Sequence, residues 1–303
     1  IFDSNRGVTK RLKPNATDAE DTLTAFSHFL SDGFTITGAP LNDSGTTWVA
    51  WQWKANGGTT TTNDASSTSV GNQDSVYQAN TTAGFSIVTW AGQNQVGTMA
   101  HGLGVIPTTM IIKARGGTEK WGVYHHKNTS APATDQLILN ATDATADTTT
   151  LMNDTLPTSS IFTVGDSGIA NENDKTYVGY LFNEVKGFSK FGKYTGNGNN
   201  NGPFLYTGFK PALFFRKRTD STNGWNIWDN KRAPFNEMHV SSAIHTTAVE
   251  DANTGYNDVD FCSNGIKIHD TGDSHNGDGF SYVYWAWAES PFVSSEGVPT
   301  TAR

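Results

Sequence analysis

The feature that most constrains the fold of this chain is an internal repeat with a spacing of 104 residues. The following pairs are identical at this spacing: Gly92 and Gly196, Gly104 and Gly208, Pro107 and Pro211, Lys113 and Lys217, Trp121 and Trp225, Ser159 and Ser263, and Asp166 and Asp270. The spacing is 103 near the start of the copies and 105 near their end, as small loop insertions in a shared fold would produce. Self-similarity at a fixed period indicates tandem copies of one structural unit.

A third, partial copy precedes these two. The segment IFDSNRG at 1–7 aligns with IWDNKRA at 227–233, and the sequence NATDA occurs at both 15–19 and 140–144. We call the last two stretches the NATDA segments. The first copy lacks its beginning, so we expect the chain to be the C-terminal part of a longer protein.

The repeat predicts a division of the chain. We expect the following segments: the C-terminal part of repeat 1 at 1–55, an extended linker at 56–83, repeat 2 at 84–186, repeat 3 at 187–292 and a C-terminal tail at 293–303. The linker is predicted because its run of glycine, threonine, asparagine and serine has no hydrophobic periodicity.

Composition favours strands over helices. Only 17% of the 303 residues are charged, while glycine, threonine, asparagine and serine are abundant. This is typical of short strands joined by polar turns. We predict an all-β fold of tandem antiparallel, jelly-roll-like β-sandwich repeats of about 100 residues, with the first repeat truncated. Cys262 is the one cysteine, so no disulfide can form within the chain.

Aromatic residues are concentrated in the last segment of each copy: WVAWQWKA at 48–55, YVGYLFNE at 177–184 and YVYWAWAE at 282–289. Alternate residues of a strand point to the same face, and one face of each segment is wholly apolar. An apolar face whose residues vary in identity is typical of a core; a sugar-binding aromatic platform is the alternative. The predicted core residues are Trp51, Trp53, Tyr180, Phe182, Trp285 and Trp287, together with Trp121 and Trp225.

Charge and motifs argue against several functions. The net charge of −8 and the pI near 5.4 argue against binding nucleic acid or an acidic membrane surface, and no apolar run is long enough for membrane insertion. No nucleophile, phosphate-binding or paired-histidine motif is present in the sequence, so we expect neither an enzyme nor a cofactor. The acids repeated between copies, Asp166 with Asp270 and Glu184 with Glu289, are interpreted as turn caps and strand ends rather than as the paired carboxylates of a glycosidase.

Two polar loops are the candidate binding sites: TGNGNNNGP at 195–203 and HDTGDSHNGDG at 269–279. Asparagine side chains both donate and accept hydrogen bonds, which suits carbohydrate hydroxyls, although both loops are also ordinary turn material. The candidate receptor-binding or glycan-binding residues are Asn197, Asn199, Asn200, Asn201, His275 and Asn276. A weaker hypothesis assigns Asp270, Asp273 and Asp278 to Ca²⁺, but their spacing differs from that of an EF-hand and we expect no metal.

Several segments, taken in order, resemble a known family. GFSKFGKYTGNGNNNGPFLYTGFKPALFFRKR at 187–218, SDGFTI at 31–36 and YVYWAWAESPF at 282–292 are similar to the repeat domain of tail-fibre and other virion structural proteins of tailed bacteriophages, especially phages of marine bacteria and cyanobacteria. The ending at 288–303 resembles a natural C-terminus in that group. The middle copy departs from the pattern, because VYHHKNTS at 123–130 replaces the Asp–x–x–Arg of the other two copies.

The resemblance implies a virion component, outside the cell, that forms the distal part of a fibre and attaches to the host surface. The implied partners are other copies of the chain (trimers are usual in that class), other virion proteins, and a host cell-surface glycan or protein. Two other classes remain open: a carbohydrate-binding region of a secreted bacterial adhesin or polysaccharide-active protein, and a purely structural spacer.

Overall fold

The computed structural model describes residues 1–252 and 259–290. Strands account for 36% and helices for 3% of the structure, and the strands form several antiparallel sheets. The predicted all-β sandwich class is therefore confirmed. The tail predicted at 293–303 lies outside the described residues.

The elements are short, as the composition predicted. The first strands are β1 Lys10–Arg11, β2 Asp21–Thr22, β3 Phe26–Phe29, β4 Phe34–Ile36, β5 Thr61–Asn63, β6 Ser75–Asn80, β7 Phe85–Ala91, β8 Gly97–Ala100, β9 Thr109–Ala114, β10 Gly122–His125, β11 Asp135–Ile138 and β12 Ala146–Asp147. They are followed by β13 Ile161–Val164, β14 Thr176–Phe182, β15 Ser189–Thr195, β16 Phe204–Tyr206, β17 Pro211–Arg218, β18 Trp225–Asp229, β19 Ser242–Ala243, β20 Val259–Cys262, β21 Gly265–Ile268 and β22 Ser281–Ala288. Two single-turn helices are α1 Ala65–Thr68 and α2 Thr149–Met152.

Contacts divide the chain into two compact units. Unit 1 consists of Ile1–Val123 and Thr148–Phe182, and unit 2 consists of Tyr124–Asp147 and the residues from Asn183 onward. The chain thus passes from unit 1 to unit 2 within β10, returns after β12 and passes again after β14. These boundaries do not coincide with those of the predicted repeats, and the division into repeats stays a prediction.

Unit 1 is built from two facing layers of strands. In one sheet β9, β14, β7, β6 and β5 are neighbours in that order, and β8 pairs separately with β13. The ring of Trp90 on β7 meets the ring of Phe162 on β13 edge-on at 5.5 Å. Both residues are buried, so the two layers share a core.

Part of the segment predicted as an extended linker is folded. Within 56–83, β6 pairs along β7, and β5 pairs with β6. The linker prediction is wrong for these strands. The residues that β6 buries are polar, so the sequence shows no alternation of hydrophobic and polar residues there. Ser75 is buried and its hydroxyl donates to the carbonyl oxygen of Ala100 at 3.1 Å, while the buried Gln78 accepts from Ser4 at 3.0 Å.

Unit 2 is a second sandwich. One sheet has the strand order β15, β22, β17, β18, β19, and the other has the order β16, β21, β20. Side chains from both sheets meet in one buried core that includes Tyr194, Leu205, Phe214, Trp228, Phe261, Ile266 and Tyr282.

The aromatic segments at 177–184 and 282–289 contain β14 and β22, which lie inside the large sheets of the two units. The following residues are buried: Tyr180, Phe182, Trp285, Trp287, Trp121 and Trp225. The opposite faces of these two strands are covered as well, since Tyr177 and Tyr282 are also buried.

The aromatic segment at 48–55 differs from the other two. It forms no strand, and Trp51 and Trp53 are only partly buried. The ring of Trp53 approaches that of Phe182 edge-on at 6.0 Å. The prediction of a third buried aromatic strand is therefore wrong, because the alternating pattern needs a neighbouring strand and none pairs with 48–55 in the described part of the chain.

In each unit a NATDA segment accepts a hydrogen bond from a buried lysine. Lys113 on β9 donates to the carbonyl oxygen of Thr17 at 3.1 Å in unit 1. Lys217 on β17 donates to the carbonyl oxygen of Thr142 at 3.3 Å in unit 2. Both carbonyls belong to the third residue of a NATDA segment, so the repeated sequence makes a corresponding contact in each unit.

The Asp–x–x–Arg pattern forms an ion pair wherever it occurs. Arg6 Nε donates to the Asp3 carboxylate, and Arg232 Nε lies 2.6 Å from Asp229 Oδ2. In the middle copy Asn128 accepts a hydrogen bond from a threonine hydroxyl at 2.9 Å. The middle copy therefore has a neutral contact where the aligned copies have a charged pair.

Candidate functional site

The asparagine loop, residues 196–202, connects β15 to β16 in unit 2. Asn276 is fully buried and anchors this loop. Its side-chain oxygen accepts a hydrogen bond from Asn197 N at 2.9 Å. Its amide nitrogen lies 2.8 Å from both Asn197 Oδ1 and the carbonyl oxygen of Asn199. One buried side chain therefore fixes both the start and the middle of the loop.

Side chains of the loop complete its hydrogen bonds. Asn197 Oδ1 accepts from Asn199 N at 3.1 Å, and Asn199 Oδ1 accepts from Asn201 N at 2.8 Å, as in Asx-turns. Asn201 Oδ1 accepts from Lys267 Nζ at 2.6 Å. Asn200 is exposed, and within the described part of the chain no hydrogen bond engages its side chain. Asn200 is therefore the residue whose amide is most available to a ligand.

Two of the predicted binding residues, His275 and Asn276, are buried. The His275 ring meets Trp228 edge-on at 5.4 Å, and His275 Nε2 lies 3.8 Å from Asp270 Oδ2. Burial lowers the pKa of His275 well below its ordinary value, so the ring is neutral at pH 7. The prediction that these two side chains contact a receptor is wrong, because they hold the shape of the loops from inside.

The three aspartates of the calcium hypothesis differ in burial. Asp270 is buried and accepts from Gly272 N at 2.7 Å, whereas Asp273 and Asp278 are exposed. In the described residues no group of three or more His, Cys, Asp or Glu side chains could hold a metal ion. The loop at 269–279 is therefore organised by hydrogen bonds among its own residues and its neighbours.

Comparison with known proteins places the chain in a family. Residues 1–291 match the family described as Domain of unknown function (DUF7483). The chain belongs to this family. No curated protein and no solved structure matches it. No helix among residues 1–252 and 259–290 is long and apolar enough to cross a membrane.

In this member of the DUF7483 family, unit 1 contains a loop held in a similar way. The buried Asn171 donates its side-chain amide to the carbonyl oxygen of Gln95 at 2.8 Å. The backbone carbonyl oxygen of Asn171 accepts from Asn94 N at 2.8 Å. The backbone carbonyl oxygen of Asn276 likewise accepts from Gly198 N at 2.7 Å. Asn171 in unit 1 therefore does what Asn276 does in unit 2.

Two glycines of the sequence repeat are explained by the same contact. A Cβ at Gly92 would lie 1.9 Å from the carbonyl oxygen of Glu172, and one at Gly196 would lie 2.2 Å from that of Gly277. Real Cβ atoms do not approach an oxygen so closely. Within each unit, therefore, only glycine allows the backbones of the two neighbouring loops to touch.

Sequence reasoning missed the strand that follows the asparagine loop. Phe204 and Tyr206 of β16 are 46% and 66% exposed, whereas Leu205 between them is buried. Lys267 of β21 lies opposite Phe204 in the register. The signal was the alternation in Phe-Leu-Tyr, which places both rings on one face of a strand.

Proposed function

We propose that the chain is a structural component of a bacteriophage virion, in the distal region of a tail fibre, and that it attaches to the host surface through the asparagine loop. The proposal locates the protein in the virion, outside the cell. Its partners are other virion proteins, other copies of the chain, and a glycan or protein of the host cell surface.

The observation that carries the proposal is an exposed polar loop that a fully buried side chain anchors from the protein interior. Asn276 and the Asx hydrogen bonds hold the loop in one shape, and Asn200 is left exposed. A loop that is ordered before binding loses little conformational entropy on binding. Weak contacts by such loops are sufficient when many copies on one particle engage together. The resemblance of 187–218 to tail-fibre repeats supports the same class.

Immunogold electron microscopy tests whether the chain is part of a particle. Antibodies raised against the 303-residue chain are applied to purified phage particles whose genome encodes it. We expect gold at the fibre ends and none with pre-immune serum. Particles that carry neither the label nor any peptide of the chain by mass spectrometry would contradict the proposal.

A glycan array separates the proposal from the alternative of a carbohydrate-binding region in a secreted protein. The proposed fibre binds sugars weakly as a single chain and gains strength on a particle. Tight binding of one sugar by the isolated chain, without any binding advantage for whole particles, would favour the alternative.

A further inference from the structure

We propose that β16 pairs edge to edge with β16 of a second copy of this chain. This interface is independent of the receptor contact proposed above, since it uses the backbone and aromatic side chains of β16 rather than the asparagine loop.

The backbone groups of β16 point in a direction that favours this pairing. Thr207 N donates to the carbonyl oxygen of Asn264 at 3.0 Å, and Ile268 N donates to that of Pro203 at 3.1 Å. Hydrogen-bonded pairs alternate along an antiparallel ladder. The N–H and C=O groups of the residues in positions 204 and 206 therefore point away from β21, and no hydrogen bond of the described residues engages them.

The corresponding edge in unit 1 is covered. β8 pairs with β13 as β16 pairs with β21. Residues 71–77 lie against the edge of β8 that faces away from β13. Asn72 N donates to the carbonyl oxygen of Thr98 at 3.0 Å, and Thr98 N donates to Asn72 Oδ1 at 2.6 Å. A Cβ at Gly102 would lie 2.1 Å from the Tyr77 ring. In unit 1 the bend at 71–73 and the start of β6 thus satisfy this edge.

The exposed side chains of β16 also favour a partner strand. Edge strands that stay unpaired are normally protected by charged residues, proline or a bulge. β16 instead exposes Phe204 and Tyr206, and it carries no charge. The nearest cross-strand charge, on Lys267, is directed to Asn201 Oδ1 at 2.6 Å and to the carbonyl oxygen of Gly202.

The strand is complementary to itself, which identifies the occupant as a second copy. In an antiparallel pair centred on Leu205, Phe204 of one copy lies opposite Tyr206 of the other. The backbone groups of Phe204 and of Tyr206 point outward in each copy. Each of the two Phe204–Tyr206 pairs therefore exchanges two N–H···O=C hydrogen bonds, which gives four between the two strands. The two rings also form cross-strand aromatic pairs, which stabilise antiparallel strands. A two-fold axis through the centre makes the contact isologous.

The contact is small compared with a stable dimer interface, so the association depends on concentration. Sedimentation velocity of the 303-residue chain over a range of concentrations measures it. Tyr206→Pro removes one outward N–H from each copy and leaves the inward hydrogen bonds of Leu205 in place, since proline is tolerated where the N–H faces solvent. Tyr206→Lys keeps the N–H and adds a charge. Phe235→Lys is the matched control, because Phe235 is an exposed aromatic residue outside β16.

We expect the wild-type chain and Phe235→Lys to self-associate equally. We expect Tyr206→Pro to weaken the association at least about tenfold, because it removes two of the four hydrogen bonds. We expect Tyr206→Lys to weaken it as well, because it replaces the aromatic cross-strand pairs and places a charge on the edge. A wild-type chain that stays monomeric at every concentration overturns the proposal. Self-association that both Tyr206 variants leave unchanged also overturns it, and places the contact elsewhere. Monomeric chains whose Tyr206 variants lose binding to host cells would make β16 a receptor surface instead.

Discussion

At the residue scale, Arg216 is the buried side chain that packing explains least. It is fully buried on β17, with its guanidinium 5.7 Å from the Trp228 ring centre and 5.5 Å from that of Tyr282. Nη2 donates to Asn226 Oδ1 at 2.6 Å, but Nε and Nη1 have no hydrogen-bond partner in the described residues. Burial lowers the pKa of the guanidinium, so the core bears the cost of an incompletely paired charge.

Replacing Arg216 with methionine is therefore expected to stabilise the protein. An apolar side chain of similar volume removes the unpaired charge, and we expect the free energy of unfolding to rise by about 1–2 kcal/mol. Urea unfolding measures it. Arg218→Met is the control and is expected to destabilise, because Arg218 is paired with Asp220 at 2.6 Å and lies over the Phe280 ring. A loss of stability in Arg216→Met would contradict this account of the site.

Asn276 and Asn200 form a matched pair for testing the asparagine loop. Asn276→Ala removes the hydrogen bonds from the buried anchor, so we expect a loss of about 3 kcal/mol or more in the free energy of unfolding. Asn200→Ala changes an exposed side chain and should alter stability by less than about 0.5 kcal/mol. Equal effects of the two substitutions in urea unfolding would show that Asn276 does not hold the loop.

Sequence reasoning located the loops but not the direction of their side chains. Asn276 and Asn200 are the same residue type in equally polar surroundings, yet one is buried and the other exposed. Which asparagine lies inside depends on where the loop at 269–279 crosses the asparagine loop, and this is a long-range contact. The glycine at 196, repeated from 92, was the one local sign of that crossing.

At the scale of the elements, the NATDA segments set the environment of two lysines. Burial lowers the pKa of Lys113 and of Lys217 to about 8, whereas an unfolded lysine titrates near 10.4. Between these values the unfolded state binds more protons than the folded state. The free energy of unfolding therefore rises with pH across this window, because the folded state no longer holds a buried charge.

We expect the free energy of unfolding to increase by about 1–2 kcal/mol per lysine from about pH 7.5 to about pH 9.5. Urea unfolding at the two pH values measures the change. The double variant Lys113→Met with Lys217→Met should lose most of the increase. A double variant with the same pH dependence as the wild type would show that these lysines keep ordinary pKa values in the fold.

Strand prediction succeeded or failed according to the neighbours of each segment. The segments at 177–184 and 282–289 alternate strongly and lie between two strands of a sheet. The segment at 48–55 has the same alternation but no strand to pair with in the described structure. β6 shows the converse, since its polar residues are buried through hydrogen bonds to other segments. Local pattern therefore predicts a strand only where the fold provides a partner.

At the scale of the whole molecule, composition and turn spacing were enough to predict an all-β chain. The division of the chain was not predictable in the same way. Each unit draws on two separate stretches of sequence, and a repeat read along the chain cannot show which stretch folds with which. The corresponding contacts of Asn171 and Asn276, and of the two lysines, support copies of one design.

Competition for adsorption tests the proposal that the asparagine loop attaches the particle to its host. Purified chain is added in excess to host cells before the phage, and adsorbed particles are counted. We expect wild-type chain to block adsorption, Asn200→Arg to block it at least about tenfold less well, and Asn42→Arg, at an exposed asparagine of unit 1, to block it like wild type. Equal blocking by all three, or no blocking by the wild-type chain, would contradict the claim.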